Sequence, residues 1–175
     1  MAAGIKPASN STFGKKVWIF VPTIATQTAP TVAEITGASS LDFTNIAFAS
    51  TGKPDQSTNR VTAERRLGDT VVYEQIGVTS YTGGDMIYQF DPTAAALSSG
   101  RKGWEKFSTG ISGFLVERMG KSAATTPTTG DRVNVYPVTF GPSLPTEAGD
   151  GETAETAAKC TYAITNTPSL DATVA

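Results

Sequence analysis

Residues 17–35 read VWIFVPTIATQTAPTVAEI, and the fold turns on how this stretch divides. Val17, Ile19 and Val21 alternate with Trp18 and Phe20, so a strand over 15–21 is apolar on both faces. Such a strand is either buried on both sides or covered on one side by a partner. Pro22 and Pro30 bound a spacer that lacks two amide donors, which reads as loop or edge. Thr31–Ile35 then reads as a short extended piece delivered to a sheet edge.

Working outward, Met1–Phe13 is polar, contains Gly4, Pro7 and Asn10, and reads as a flexible arm before a single domain over 14–175. After a turn at Gly37–Ser40, a strand is expected over Leu41–Ala49. STGKPDQSTN, residues 50–59, has almost nothing apolar and is expected to be a long exposed loop, about ten residues against the usual hairpin connection of about 2–5. Two strands follow, Val61–Leu67 and Thr70–Val78, joined at Gly68–Asp69. A turn at Gly83–Gly84 leads to a further strand with Met86, Tyr88 and Phe90 on one face.

Asp91–Pro92 carries the signal for a helix start, an N-cap residue followed by proline at the first helical position. It predicts a short helix near 92–99 and a further turn at Trp104–Phe107, with Leu97, Trp104 and Phe107 covering an open face of the sheet. Strands resume at GFLVERMG (113–120), DRVNVYPVTFG (131–141) and AAKCTYAITN (157–166), the last two separated by a polar, acidic loop. Eight or so strands at regular spacing with one short flanking α-helix define a mainly β domain, a β-sandwich or small β-barrel.

Composition argues against catalysis. The 175-residue chain has no histidine, which removes the commonest general base and metal ligand, and its single Cys160 excludes an internal disulfide or a multi-cysteine metal site. Cys160 shares a strand face with Tyr162 and Ile164 and reads as a small buried hydrophobe. Glu147, Asp150, Glu152 and Glu155 lie in a loop without apolar neighbours that raise a carboxyl pKa, so they read as solvated charge. TGISG at 109–113 misses the nucleophile-elbow spacing, and GRKG at 100–103 lacks the phosphate-loop pattern. No catalytic, cofactor-binding or metal residues are therefore expected.

Lys53, Arg60, Arg65 and Arg66 form the most basic neighbourhood. Arg65 and Arg66 fall on opposite faces of the expected strand, so they suit partner contacts or ion pairs better than a nucleic-acid groove. Residues 1–66 hold seven basic and four acidic side chains, and 147–175 hold one and five. Opposite signs at the two ends suit head-to-tail contact between copies. No apolar run approaches the ~20 residues that cross a bilayer, and the first residues lack the apolar core of a signal peptide. The expectation is a protein made and assembled in the cytoplasm without secretion.

The order of segments carries a resemblance. A polar arm, KKVWIFVPTIATQTAPTVAEITGASSLDFT, an exposed loop leading into STNRVTAERRLGD, then GFLVERMG, GDRVNVYPVTFG and the ending YAITNTPSLDATVA together resemble the tail tube proteins, or major tail proteins, of long-tailed, non-contractile phages of actinobacteria. The resemblance implies a structural virion protein of the tail, whose subunits form hexameric rings that stack into a tube for DNA ejection. It implies no enzyme and no cofactor. Implied partners are other copies of the chain, a tape-measure protein, a tail terminator and tail-tip proteins, with double-stranded DNA passing through the lumen without specific binding. The residues expected at subunit contacts are Phe13 on the arm, Trp18 on the first strand, Val32 and Ile35 at the sheet edge, and Lys53, Pro54, Asp55, Asn59, Arg60, Arg65 and Arg66 on and beside the loop. A tail terminator, a capsid decoration protein and a carbohydrate-binding sandwich with exposed Trp18 or Trp104 stay open as alternatives.

Overall fold

The structure, a computed structural model, describes residues 9, 11–48 and 50–175. Most of the expected arm, residues 1–8 and 10, lies outside them. The described chain runs β1 (Lys16–Val21), α1 (Val32–Thr36), β2 (Leu41–Asp42), β3 (Asp55–Thr62), β4 (Glu74–Thr82), β5 (Asp85–Gln89), α2 (Lys102–Phe107), β6 (Ile111–Met119), β7 (Arg132–Phe140), β8 (Leu144–Ala148), β9 (Glu155–Ile164) and β10 (Ser169–Thr173). The expectation of a mainly β fold holds. Eight strands form one curled, half-barrel sheet in the order β2-β1-β6-β7-β9-β5, with β10 added on β7 and β8 on β9. β3 and β4 form a separate two-stranded sheet.

The doubly apolar β1 is explained by two cores. Trp18 and Phe20 enter an aromatic core with Phe43, Tyr88, Phe107, Tyr136, Phe140 and Tyr162. Val17, Ile19 and Val21 enter an aliphatic one with Ile24, Ile35, Val116, Val133, Val135 and Val174. β6 and β7 divide in the same way, Leu115 and Val138 facing the first core, Val116 and Val135 the second. Each fully buried Phe or Val side chain stabilises by about 1.5–3 kcal/mol. Phe107 is the hub of the aromatic core, its ring 4.5 Å from Phe140, 5.1 Å from Phe43 and 5.3 Å from Phe20.

Two buried charge networks cross the sheet. Glu117 takes an ion pair from Lys16 and hydrogen bonds from Trp18 Nε1 (3.0 Å), Asn134 Nδ2 (3.3 Å) and Tyr136 Oη (3.4 Å). Burial pushes its carboxyl up, but Lys16, Trp18 and Asn134 outweigh that and hold it below its ordinary value. Arg118 pairs with Asp131 at 3.2 Å and donates to the Ser122 and Thr125 carbonyls, with Lys121 also on Asp131. These contacts pin the 120–131 loop to β6.

Several expected elements are corrected. Thr31–Ile35 is not an extended edge piece. Thr31 caps α1, its Oγ1 accepting from Glu34 N (3.2 Å) while Glu34 Oε2 accepts from Thr31 N (2.8 Å). This is a capping box, and the pattern T-x-x-E was present in the sequence. The helix covers the aliphatic core with Ile35. The strand expected over Leu41–Ala49 is reduced to β2, and Phe43–Ala47 turns across the end of the sheet.

The helix expected near 92–99 is absent, and α2 lies at 102–107 instead. Asp91 Oδ1 accepts from Thr93 N (2.8 Å), but Leu97 turns through φ 63° and no helix propagates. The alanines of 94–96 have little apolar surface to bury, whereas α2 inserts Phe107 and stacks Trp104 on Phe90. Gly103 seats it, since a Cβ there falls 2.6 Å from the Tyr88 ring. Trp104 and Phe107 cover the sheet as expected; Leu97 is exposed. The acidic segment 142–156 is not all loop, since it contains β8, and β10 is a further strand beyond those expected.

Candidate assembly surface

The expected loop at 50–59 is loop only to Pro54. From Asp55 it is β3, paired antiparallel with β4 from Asp55↔Thr82 to Thr62↔Glu74. All of β3 is exposed, as expected of this segment, but its backbone is strand rather than loop. Polar Asn, Ser, Gln and Thr side chains have no core to meet here, and cross-strand pairing supplies their hydrogen bonds, as in Thr58 Oγ1 to Thr79 Oγ1 at 3.0 Å.

A register shift between Thr58 and Arg60 places Gly77 and Val78 opposite Asn59. It resets the alternation, so apolar side chains emerge on both faces. Arg60 and Ile76 share one face, and Val61 lies with Gly77 on the other. Val61, Leu67, Val71, Val72, Tyr73, Ile76 and Val78 are all exposed large hydrophobics. The strands expected over 61–67 and 70–78 are displaced to Asp55–Thr62 and Glu74–Thr82, which leaves Leu67, Val71, Val72 and Tyr73 outside them.

The tip is ordered rather than frayed. Ala63 N donates to Tyr73 O (2.8 Å), extending the ladder, and Asp69 N donates to Arg66 O (3.0 Å). Asp69 Oδ2 accepts from Arg66 N (3.1 Å), and Arg65 Nη1 donates to Asp69 O (3.0 Å). Leu67 is left fully exposed at the apex, and Arg65 and Arg66 sit in this tip rather than on opposite faces of a strand.

The hairpin meets the main sheet at its root. Gly83 allows that approach, since a Cβ on it lands 1.9 Å from the Tyr162 carbonyl oxygen. Tyr162 N donates to Gly84 O (2.9 Å) and Tyr162 Oη to Gly52 O (2.9 Å). Asp85 accepts from Lys159 Nζ (2.7 Å) and Thr161 Oγ1 (2.7 Å), and these bonds hold its carboxyl below its ordinary value.

The residues expected at subunit contacts separate into three sets. Lys53, Asp55, Asn59, Arg60, Arg65 and Arg66 are exposed on the hairpin or its root, with Pro54 half-buried between them. Phe13, 93% exposed, stands apart just before β1. Trp18 and Ile35 are buried inside the subunit's own cores, and Val32 packs on the aliphatic one. The structure thus brings the loop residues together on one projecting element and commits Trp18 and Ile35 to internal packing.

A curled β domain that holds an ordered, two-faced apolar hairpin out in solvent is built as a subunit for association. A family model described as phage tail tube protein matches residues 5–175, so the chain belongs to the phage tail tube protein family. It is a structural tail tube subunit and a component of the virion tail. No curated protein matches the chain. Among the described residues, no helix is long and apolar enough to cross a membrane.

Proposed function

We propose that copies of this chain close into hexameric rings that stack into the hollow tube of a long, non-contractile tail, the conduit for DNA into an actinobacterial host. The β3–β4 hairpin carries this reading. A two-stranded hairpin is marginal alone in water, and this one exposes Ile76 and Val78 at 77% and 79%. Both facts are accounted for when the hairpin lies against a neighbouring copy. Ring closure is a head-to-tail contact repeated by rotation, and an element that projects from one subunit onto the next suits it. Hexameric symmetry, the lumen's passage of DNA, assembly in the host cytoplasm, and contacts with a tape-measure protein, a tail terminator and tail-tip proteins are part of the same proposal, and the family likeness supports them.

The test is a chain in which residues 59–78 are replaced by an Asn-Gly turn closing on Thr58 and Thr79. The wild type should form rings or tubes of uniform diameter in electron micrographs at high concentration. The shortened chain should keep the wild-type near-ultraviolet circular dichroism of its aromatic core and stay monomeric. Tubes from the shortened chain, or a wild type that stays monomeric at every concentration, contradict the proposal.

A further inference from the structure

Given the proposed tube, on which this reading rests, we infer that the bare face of the sheet across β6, β7, β9 and β5 lines the lumen and meets double-stranded DNA in passage without binding it.

The fold leaves that face uncovered. Around β1 both faces of the sheet are filled, one by the aromatic core and the other by the aliphatic core under α1. Towards β9 and β5 the aromatic core continues through Met86, Tyr88, Cys160 and Tyr162, but no side chain of these two strands enters the aliphatic core. The alternate positions of β9 stand in solvent instead. Lys159, Thr161 and Ala163 are exposed, while Cys160 and Tyr162 between them are buried. Register places Ser112 opposite Thr139, Thr139 opposite Ala163 and Thr161 opposite Asp85, so these side chains share one face and form a stripe across four strands.

The stripe offers a polyanion no free cation. Lys159 Nζ lies 2.7 Å from Asp85 Oδ2. The hydroxyls are engaged within the sheet, Ser112 Oγ with Thr139 Oγ1 at 2.8 Å, and Thr161 Oγ1 donating to Asp85 Oδ1 at 2.7 Å. Glu155, further along the same side of β9, adds an anion. Arg118 on β6 is buried on Asp131, and Arg132 on β7, 3.3 Å from Asp171, alternates with Val133 of the aliphatic core and so takes the opposite face. The side over the aromatic core differs. There α2 and its N-cap carry Arg101, Lys102 and Lys106 against one carboxylate, Glu105. Cations displace counterions from a duplex and hold its phosphates, and repeated around every ring they retard its passage. The α2 side therefore suits the outside of a DNA conduit, and the stripe suits the inside.

The stripe also adjoins the element proposed to bind a neighbouring copy. β4 runs through Gly83 and Gly84 directly into β5, and Tyr81, Thr82, Asp85, Thr161 and Ala163 line one shallow depression. The bare face and the hairpin root are parts of one surface.

The test is chemical labelling of tubes assembled from chains carrying Thr139→Cys and, separately, Ala163→Cys. Both positions are exposed in a single copy, and buried Cys160 makes wild-type tubes the blank. The reagents are a small soluble maleimide and the same group carried on ferritin, which is too wide to enter the tube. Unassembled chains of both variants should take both reagents. In tubes the small maleimide should label within about threefold of the free-chain rate, and the ferritin-borne one on the order of a hundredfold more slowly. Ferritin labelling of tubes at the free-chain rate puts the stripe on the outer wall, and protection from both reagents puts it against a neighbouring copy; either result overturns the assignment. Failure of both variants to assemble where the wild type does marks the stripe as a subunit contact and overturns it as well. All three results leave the proposed tube standing, whereas a wild type that never assembles removes tube and lumen together.

Discussion

At the scale of single residues, buried polar groups fix how the two cores are joined. Glu117 is the clearest, since Lys16, Trp18, Asn134 and Tyr136 all converge on it from β1 and β7. Glu117→Gln should cost on the order of 2–3 kcal/mol in urea unfolding, the scale of a charged hydrogen bond lost in a buried site. The same group sets a pH response. Glu117 and Asp131 both sit below their ordinary values of 4.5 and 3.8 in the folded chain. The unfolded chain therefore binds protons more tightly, so the stabilisation is complete above those values and is lost as the pH falls through the lower folded ones. Denaturation midpoints should drop below about pH 4.5, and the drop should be shallower in Glu117→Gln. Cys160 was legible as a small core residue from its alternation with Tyr162, and its burial pushes the thiol up to about 12. It should resist a thiol reagent at neutral pH in the native protein and react stoichiometrically in denaturant; rapid native labelling contradicts the placement.

At the scale of elements, the legible ones carry their own pattern. β1, β6, β7 and β9 show apolar alternation strong enough to survive without context, and all four are where the sequence places them. β8 and β10 are short and polar and exist because β9 and β7 offer pairing edges, with Leu144↔Lys159 and Ser169↔Val135 as partners. No local signal marks them. α1 is different, because the sequence holds two opposed local signals, the T-x-x-E box for a helix start and β-branched Thr31, Val32 and Ile35 for extended chain. The box is more than a cap, since Glu34 Oε1 also accepts from Ala25 N at 2.8 Å and ties the Pro22–Pro30 spacer to the helix. Those amide donors hold its carboxyl below the ordinary value. Thr31→Ala should therefore cost about 1 kcal/mol in urea unfolding. Glu34→Gln should cost at least as much; no change in either disproves the role of the box.

At the scale of the whole molecule, the division of labour is between a body that satisfies itself and a hairpin that does not. The body fills both faces of its sheet around β1. Ile46 and Phe48 close the outer edge of β5 through Phe48 N to Ile87 O and Gln89 N to Ile46 O, both under 3 Å. The assembly residues were only half legible for this reason. Exposure of 50–59 followed from polarity, but Leu67, Ile76 and Val78 look like core residues in any single chain, and only their position beyond the edge of both cores marks them as contact groups. The most direct test is electron cryomicroscopy of tubes grown from the purified protein. The account predicts β3–β4 density seated against a neighbouring copy with Ile76, Val78 and Leu67 out of solvent. Tubes in which that hairpin stands free in solvent contradict it.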